Sequence, residues 1–474
     1  MKVLYATSEA LPFAISGGLG EVAGSLPQAL RKRLIGCRVV MPLYGTVDPK
    51  LKETMKFITH ISVPVAWRRQ YCGIFEARAG GVIYYLIDNQ YYFKRDALYG
   101  HYDDAERFAF FSRAVLEIIP IIDFKPDIIH CNDWQTALTP FYYTTMYAKR
   151  DGYENIKTIL TIHNIQYQGS YGKEIVDNVI GADNEHMNLL EYDGGINLMK
   201  AGIECANIVS TVSPTYAKEI LDPWYSHGLD TILKERSWKI KGILNGIDTE
   251  SYNPETDSDI YEFYSADDLS KKAVNKKKLQ ERLSLPQKEE TPVIGMVTRL
   301  VSHKGLDLVK EILDDFLLQN DVQVVVLGSG EWQYENFFKE ILERYPEKFS
   351  LTLGFVPELA RKIYAGSDIF LMPSKSEPCG LSQMVALRYG TIPIVRETGG
   401  LKDSVTDSGD GKGNGFVFSS YNSDDLHGTL KRACEGYSNK EGWEILVKRA
   451  MKCDNSWGKS AREYMRLYRD ILKS

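Results

Sequence analysis

The feature that most constrains the fold of this 474-residue chain is an alternation of short apolar runs with longer segments of helical period. The runs in the first half are rich in β-branched residues and lack strict polar alternation, which is typical of strands buried on both faces. They predict strands at residues 2–8, 38–42, 83–88, 127–131, 158–163 and 208–212, with helices at 21–34 and 105–119. Alternating strands and helices predict an α/β fold with a parallel sheet covered on both faces.

The alternation stops near residue 248 and resumes near residue 292. The intervening segment is polar and irregular, and its lysine-rich stretch at 271–278 is predicted to be a solvated helix face. The second series predicts strands at residues 292–300, 322–327, 351–355, 369–373, 392–395 and 415–418. Because one core stops growing near about 250–300 residues, we expect two doubly wound, Rossmann-like domains, 1–247 and 248–456, facing an interdomain cleft. A helix predicted at 457–472 is expected to pack back on the first domain.

Charge and cysteine content exclude several classes of protein. The 57 basic and 63 acidic residues give a net charge of −6, which removes the electrostatic basis for nucleic-acid binding. Seven scattered cysteines without a C-x-x-C pair predict a reducing compartment and no zinc site. The N-terminus lacks a signal-peptide pattern, and the longest apolar runs are too short to cross a membrane. We therefore expect a cytoplasmic enzyme without a membrane partner.

A glycine-rich segment, SGGLGEVA at 16–23, follows the first predicted strand and opens a helix. Backbone N–H groups at such a helix start can approach a phosphate, and the helix dipole favours the anion. Gly18, Gly20 and Ala23 formally match a dinucleotide fingerprint, but eight residues separate the loop from its strand. An NAD site is therefore disfavoured. A tight turn that needs glycine only for its conformation is the structural alternative.

Polar residues follow two other predicted strands of the first half. His163 and Asn164 end the strand at 158–163, and Asp133 follows the strand at 127–131. Ligands of open parallel sheets bind beyond the carboxyl ends of the strands, so these residues are candidates for a substrate site. A histidine at a strand end is also frequently a structural residue whose hydrogen bonds are satisfied internally.

The second half offers cations and a carboxylate at equivalent positions. Arg299 and Lys304 flank the loop after the strand at 292–300 and are a plausible clamp for a diphosphate. Glu377 follows the strand at 369–373 and can accept hydrogen bonds from sugar hydroxyls. Two exposed loop cations remain the structural alternative for Arg299 and Lys304.

Three further features support a nucleotide-sugar site. The N–H groups of Cys379, Gly380, Leu381 and Ser382 lie at a predicted helix start beside Glu377. Phe355 ends a strand and offers a face for a nucleobase, although a buried core residue is the commoner explanation. Asn245 lies in a turn at the domain junction. With no metal-ligand spacing and no G-x-S-x-G elbow, the residues predict a metal-independent transferase that needs no cofactor and acts on a nucleotide-activated sugar or polyol.

Taken together, these segments resemble the bacterial glycogen (starch) synthase family, retaining glucosyltransferases of the GT-B fold in glycosyltransferase family 5. The similarity runs from residue 1 to about 403 in unchanged order. The matching segments are SGGLGEV at 16–22, HNIQYQG at 163–169, LNGID at 244–248, TRLVSHKGL at 298–306, EPCGLSQ at 377–383, ALRYG at 386–390 and TGGL at 398–401. The ordered set is far more specific than any single segment.

The resemblance implies transfer of glucose from ADP-glucose to the non-reducing end of an α-1,4-glucan with retention of configuration. It implies that Arg299 and Lys304 neutralise the departing diphosphate and that Glu377 holds glucose hydroxyls. The catalytic residues it implies are His163, Asp133, Arg299, Lys304 and Glu377. The substrate-binding residues it implies are Gly17, Gly18, Glu21, Asn164, Asn245, Phe355, Cys379, Gly380, Leu381 and Ser382.

The chain departs from the family pattern in its glycine loop. The family usually has Lys-x-Gly-Gly, and that lysine falls on Ile15 here. An apolar side chain cannot neutralise phosphate, so another cation substitutes, the donor binds differently, or activity is low. Two alternatives therefore stay open: a UDP-glucose-using GT-B enzyme, and a degenerate paralogue that binds glucan or regulates a true synthase.

Overall fold

The strands of the first half form one nine-stranded sheet in the order β12-β11-β7-β6-β1-β2-β5-β4-β3. Its elements are taken from a computed structural model that describes residues 1–473. The strands are β1 Lys2–Ala6, β2 Gly36–Pro42, β3 Lys56–Val65, β4 Arg68–Ala79, β5 Val82–Asp88, β6 Ile128–Asn132, β7 Lys157–Ile162, β8 Ser170–Tyr171, β9 Glu191–Tyr192, β10 Gly195–Asn197, β11 Ile208–Thr211 and β12 Ile240–Gly242. Strands β8, β10 and β9 form a separate small sheet.

The helices of this half are α1 Gly18–Arg31, α2 Pro49–Glu53, α3 Gln90–Phe93, α4 Asp104–Glu117, α5 Leu138–Tyr142, α6 Met187–Leu190, α7 Leu198–Cys205, α8 Pro214–Glu219 and α9 Asp230–Glu235. The strands from β12 to β5 in the sheet order are parallel, as the alternation predicted. Strands β3 and β4 were not predicted, and they pair antiparallel at the sheet edge. Most of their residues are exposed or half-exposed, and polar residues interrupt the apolar ones, so they lack the long apolar runs that identify a buried strand.

The second half contains a six-stranded parallel sheet in the order β15-β14-β13-β16-β17-β18. Its strands are β13 Val293–Val297, β14 Gln323–Gly328, β15 Phe349–Leu353, β16 Ile369–Met372, β17 Ile392–Arg396 and β18 Phe416–Phe418. The helices are α10 Ser270–Arg282, α11 Leu306–Gln319, α12 Trp332–Arg344, α13 Pro357–Gly366, α14 Ser382–Arg388, α15 Gly399–Ser404, α16 Ser423–Ser438, α17 Lys440–Met451 and α18 Trp457–Lys473. The order reverses between β13 and β16, as in doubly wound sheets.

The chain divides into two compact units at Asn245/Gly246 and again at Ser456/Trp457. The first unit holds residues up to Asn245 together with α18, and the second holds the residues between. Helix α18 packs against α1, and Tyr468 on α18 lies 2.7 Å from Nδ1 of the fully buried His130 on β6. Every helix among residues 1–473 is too short or too polar to cross a lipid bilayer.

The prediction that residues 271–278 form a solvated helix face is wrong for two of its lysines. Nζ of Lys272 lies within 3.1 Å of the carbonyl oxygens of Ala365, Ser367 and Tyr389. Lys276 is 6% exposed and pairs with Asp368 at 2.8 Å. Charge runs predict exposure only on average, and here α10 turns these two side chains toward the loops beside β16.

We expect Lys272→Met to lower the free energy of unfolding of the second unit by about 2–4 kcal/mol. The change removes an ammonium donor from three carbonyl oxygens, of which those of Ser367 and Tyr389 keep a hydroxyl donor. Hydrogen bonds with a charged donor contribute about 1.5–3 kcal/mol. Urea unfolding followed by tryptophan fluorescence measures this. Lys277→Met, on the exposed side of the same helix, is the matched control and should change stability by less than about 0.5 kcal/mol. Equal midpoints for both variants would contradict the assignment.

Candidate active site

In the first unit, polar residues follow three neighbouring strands at the same edge of the sheet. Strand β1 pairs with β6, and β6 pairs with β7, all parallel. Asp133 follows β6 directly, and its Oδ1 accepts hydrogen bonds from the N–H groups of His163 at 2.7 Å and Asn164 at 3.4 Å. The structure therefore brings together three of the residues that the sequence singled out.

The backbone of Asp133 lies at φ 55° and ψ −176°, in a region that residues other than glycine rarely adopt. Such a conformation costs on the order of 1–3 kcal/mol and persists only where the surroundings enforce it. Here the two N–H groups after β7 and the 3-10 turn Trp134–Thr136 fix the residue. Backbone strain of this kind concentrates at functional sites.

Burial dominates the electrostatics of this strand edge. It raises the pKa of Asp133 to about 7, against the opposing effect of the N–H groups of His163 and Asn164. It lowers the pKa of His163 to about 3, so the imidazole is neutral at physiological pH. The ring Nε2 lies 2.9 Å from Asn132 Oδ1, while Nδ1 has no hydrogen-bond partner in the described part of the chain. Only one of the two ring nitrogens of His163 therefore has a hydrogen-bond partner in the described chain.

Glu9, which the sequence analysis did not single out, lies at the same edge after β1. It is 3% exposed, and its Oε2 accepts a hydrogen bond from the N–H of Ser16 in the glycine loop. Burial raises the pKa of Glu9 to about 7, although the N–H groups of Ser16, Gly20 and Gly17 favour the charged form. The signal that predicted Asp133, a carboxylate just after a buried strand, applies to Glu9 as well.

The glycine loop directs N–H groups at an anion that the chain itself supplies, the Glu9 carboxylate. Helix α1 begins at Gly18, and its N-cap Gly17 offers no side-chain cap for the first N–H groups. A Cβ at Gly20 would lie 2.8 Å from Cγ1 of Ile15, so the loop closes over the helix only because glycine stands there. Glu21 lies in the first turn of α1. Ile15 is 46% exposed, and it presents an apolar side chain where the family pattern has a cation.

In the second unit, the loops after β13 and β16 are packed against each other. The N–H of Lys375 donates to the carbonyl of His303 at 2.9 Å. Gly305 has φ 75°, and a Cβ there would lie 2.0 Å from the carbonyl oxygen of Pro373. Because β13 and β16 are neighbours in the sheet, this contact fixes the position of Lys304 relative to the loop that carries Glu377.

Lys304 and Glu377 form one ion pair. Nζ of Lys304 lies 2.6 Å from Oε2 of Glu377, and Ser374 Oγ lies 3.1 Å from the same oxygen. The two charged side chains are 17% and 10% exposed, whereas Arg299 is exposed and has no ion-pair partner within residues 1–473. Sequence reasoning assigned Lys304 and Glu377 to separate tasks, and it did not predict that they contact each other.

The loop from Glu377 to Leu381 rests on the start of α15. The N–H of Gly400 donates to the carbonyls of Glu377 at 3.2 Å and Pro378 at 3.1 Å. A Cβ at Gly399 would lie 1.9 Å from the Glu377 carbonyl oxygen. Helix α14 begins at Ser382. The residues at the mouth of this helix are Cys379, 6% exposed, with Gly380, Leu381 and Ser382 half-buried.

Two supporting residues have distinctive environments. Phe355 is 91% exposed and follows β15, two strands from β13, so the alternative of a buried core residue is wrong. Asn245 is 5% exposed, and its Oδ1 has no hydrogen-bond partner in the described chain. A buried acceptor without a partner costs free energy, and such groups are common where a ligand completes the site.

One group within residues 1–473 has the spacing to hold a metal ion: Asp183, Glu185 and His186. It lies in the segment between β8 and β9, and its two carboxylates are exposed. Exposed acidic groups of this kind are common without an ion, and no step of the chemistry below uses them.

Family models match both halves of the chain. Residues 2–235 match the starch synthase catalytic domain, and residues 277–449 match glycosyl transferases group 1. The chain is 49% identical to a glycogen synthase of Bacillus cereus (strain ATCC 10987 / NRS 248), with 100% of each chain covered. It is 50% identical to a glycogen synthase of Desulforamulus reducens, covering 100% of this chain and 99% of that one.

Solved structures give the same result for the fold. The catalytic domain of starch synthase IV from Arabidopsis thaliana, bound to ADP and acarbose, matches with a TM-score of 0.92 and 35% identity, covering 100% of this chain and 99% of that one. Sucrose-phosphate synthase from Thermosynechococcus elongatus matches with a TM-score of 0.62 and 16% identity, covering 100% and 99%, which bears on the fold alone. The expected GT-B fold, with two α/β domains, is confirmed.

Proposed function

The chain belongs to the bacterial glycogen (starch) synthase family and is a glucosyltransferase, and on that premise we propose that it takes glucose from ADP-glucose. The nucleotide-sugar donor and the glucan acceptor follow from the family. The proposal adds the identity of the nucleotide, the α-1,4 linkage at the non-reducing end, retention of configuration and the roles of individual residues. The starch synthase IV structure is bound to ADP and acarbose, which supports an adenine nucleotide.

The observation that carries the proposal is the buried cluster of Lys304, Glu377 and Ser374 at the ends of β13 and β16. A cation that faces the diphosphate and a carboxylate that faces sugar hydroxyls are both needed for a nucleotide sugar, and here they share one hydrogen-bonded cluster. Arg299, exposed at the same strand end, supplies the second charge. Together the cations stabilise negative charge on the leaving diphosphate.

We assign the remaining roles by the chemistry of each group. Phe355, with its exposed ring, stacks on the base, and the N–H groups from Cys379 to Ser382 contact phosphate or sugar oxygens. In the first unit, neutral His163 contacts the transferred glucose, and Asp133 and Asn164 shape the loop that holds it. Retention needs no protein nucleophile if the leaving phosphate accepts the proton of the acceptor hydroxyl.

The location proposed for the enzyme is the cytoplasm. Its seven cysteines are all free, and Cys37, Cys72 and Cys131 are fully buried. Burial raises the pKa of each of these three thiols above its ordinary value, which keeps them protonated and unreactive. Unpaired cysteines are usual in a reducing compartment.

The proposal is tested by incubating the purified protein with glycogen and either labelled ADP-glucose or labelled UDP-glucose, without added metal. We expect label in glycogen from ADP-glucose and much less from UDP-glucose. Greater incorporation from UDP-glucose would replace the donor assignment and leave the reaction class unchanged. No incorporation from either donor would favour a glucan-binding or regulatory protein. Ile15, at the position of the family's lysine, is the residue that supports this alternative.

Ile15→Lys is expected to raise affinity for the donor, with KM for ADP-glucose falling about three- to tenfold. One exposed charge-assisted contact contributes on the order of 1 kcal/mol, and the position is exposed enough to accept the longer side chain. Steady-state kinetics at two salt concentrations measure this, because the gain should shrink as salt rises. Ile15→Gln has similar length without charge and is the control. An unchanged KM in the lysine variant would mean that the donor phosphates do not approach this loop.

A further inference from the structure

The imidazole of His163 is held by a buried side chain that no motif identified. Asn132 is the last residue of β6 and is fully buried. Its Oδ1 accepts a hydrogen bond from Tyr5 Oη at 2.9 Å and lies 2.9 Å from His163 Nε2. Tyr5 is on β1 and is also fully buried, so two strands of the sheet fix this amide beside the histidine.

The orientation of the Asn132 amide is determined by its neighbours. Its Nδ2 donates to the carbonyl of Ala6 at 2.9 Å and lies 3.4 Å from the carbonyl of His130. A flipped amide would place its oxygen against these two carbonyl oxygens and its NH2 group against His163. Because carbonyl oxygens only accept hydrogen bonds, the flipped arrangement loses its contacts with both backbone groups.

An amide oxygen in this orientation leaves one possibility for the histidine. Nε2 of His163 must carry the proton, since Asn132 Oδ1 cannot donate. Nδ1 then has a lone pair, has no partner within residues 1–473, and is not sealed from solvent. We propose that Asn132 is a positioning residue that fixes His163 as the neutral Nε2–H tautomer, so that Nδ1 accepts a hydrogen bond from a sugar hydroxyl. The sugar part of this inference rests on the proposed function, and the tautomer does not.

The surroundings of His163 agree with a neutral ring. The titratable groups around it are Asp133 and His130 from the β6 side and, from the β1 side, Tyr5, which contacts the same Asn132 oxygen. Glu9 interacts with Asp133. The carboxylate of Asp133 is turned to the backbone N–H of His163 rather than to the ring. Asn132 itself brings no charge. A protonated ring would therefore lack a carboxylate partner, and its Nδ1–H could not accept from a hydroxyl.

His130 provides an internal comparison. Its Nδ1 and Nε2 contact Tyr468 Oη at 2.7 Å and Thr161 Oγ1 at 2.6 Å. Hydroxyl groups donate or accept, so these contacts do not select a tautomer. His130 on β6 and His163 after β7 thus differ in whether their neighbours dictate the position of the proton, and of the two only His163 has an obligate acceptor beside Nε2.

The direct test is nitrogen NMR of the intact protein labelled with 15N-histidine. At neutral pH we expect His163 to show a protonated, pyrrole-type shift at Nε2 and an unprotonated, pyridine-type shift at Nδ1. The spectrum of His163→Gln identifies the signal by its loss. The Nδ1–H tautomer, or a charged ring, in the wild-type protein would overturn the proposal. This measurement is independent of whether the protein transfers glucose.

Two variants then distinguish a positioning role of Asn132 from an effect on the stability of the whole protein. Asn132→Leu removes the acceptor, and we expect mixed tautomers at His163 together with a 10- to 100-fold loss of kcat, since small misplacements of a catalytic group have effects of this size. Tyr5→Phe removes only the other donor to Asn132, so the Nε2–H tautomer and kcat should stay within about threefold of wild type. If Asn132→Leu keeps a pure Nε2–H tautomer, or if Tyr5→Phe disturbs it equally, Asn132 is not the determinant. If no variant transfers glucose, the NMR result still decides the proposal, and the proposed function alone fails.

Discussion

Replacing Lys304 with glutamine is expected to lower kcat/KM for the nucleotide sugar by a hundredfold or more. The change removes a charge-assisted contact with the leaving diphosphate, which contributes about 1.5–3 kcal/mol. It also leaves the Glu377 carboxylate, 2.6 Å away, without its cation in a nearly buried position. Both effects act on the same cluster, so the loss exceeds that of an exposed lysine. Steady-state kinetics with ADP-glucose and glycogen measure it.

The control is Lys339→Gln, which removes an equal charge from the exposed face of α12 and should leave kcat/KM unchanged. Glu377→Gln and the double variant Lys304→Gln/Glu377→Gln complete a double-mutant cycle. We expect the double variant to be little worse than the more damaged single one, because groups that act as a unit are not additive. If the decreases in kcat/KM of the two single variants multiply in the double variant, Lys304 and Glu377 act independently. Their contact would then make no contribution to catalysis.

Asp133→Asn is expected to stabilise the protein above pH 7 while lowering its activity at least tenfold. Burial raises the pKa of Asp133 to about 7, so the folded state holds a proton that the unfolded state releases near pH 4. Between these pH values the unfolded state binds fewer protons, and the free energy of unfolding falls as pH rises. At pH 8 the wild-type carboxylate costs roughly 2–4 kcal/mol. Asparagine avoids this cost, has the same shape as aspartate and still accepts from His163 N–H.

Urea unfolding at pH 5 and pH 8 tests this prediction. Wild type should lose stability between the two values, and Asp133→Asn should lose about half as much, because Glu9 keeps its share of the pH dependence. Glu9→Gln should behave in the same way, since burial also raises the pKa of Glu9 to about 7. Asp151→Asn, at an exposed position, should leave the pH dependence intact. Equal pH dependence in wild type and Asp133→Asn would show that Asp133 ionises in the native state as it does in water.

The sequence predicted those features of the fold and site that depend on neighbours along the chain. The central parallel strands are apolar runs, and His163, Asp133 and Arg299 were identified because each lies at the end of such a run. Contacts between distant segments were not predictable in this way. Lys304 and Glu377 are 73 residues apart, and only the pairing of β13 with β16 makes their loops neighbours.

The features that were not predicted from the sequence have related causes. Lys272 and Lys276 look solvated because four of the other six residues at 271–278 are also polar or charged. Their partners, however, are backbone carbonyls and Asp368, which sequence composition does not mark. Strands β3 and β4 were missed because a half-exposed edge strand has no apolar run. Asn132 was passed over because an amide in a motif carries no charge, although its hydrogen bonds determine the state of its neighbour.

The position of α18 has a consequence for synthesis. The first unit includes a helix that the ribosome makes only after the whole second unit. At about 5–20 residues per second, synthesis of the second unit takes roughly 10–40 s. During that time α18 is not yet made, and His130 lacks its contact with the Tyr468 hydroxyl. Although its strands emerge first, the first unit is therefore the last to be completed.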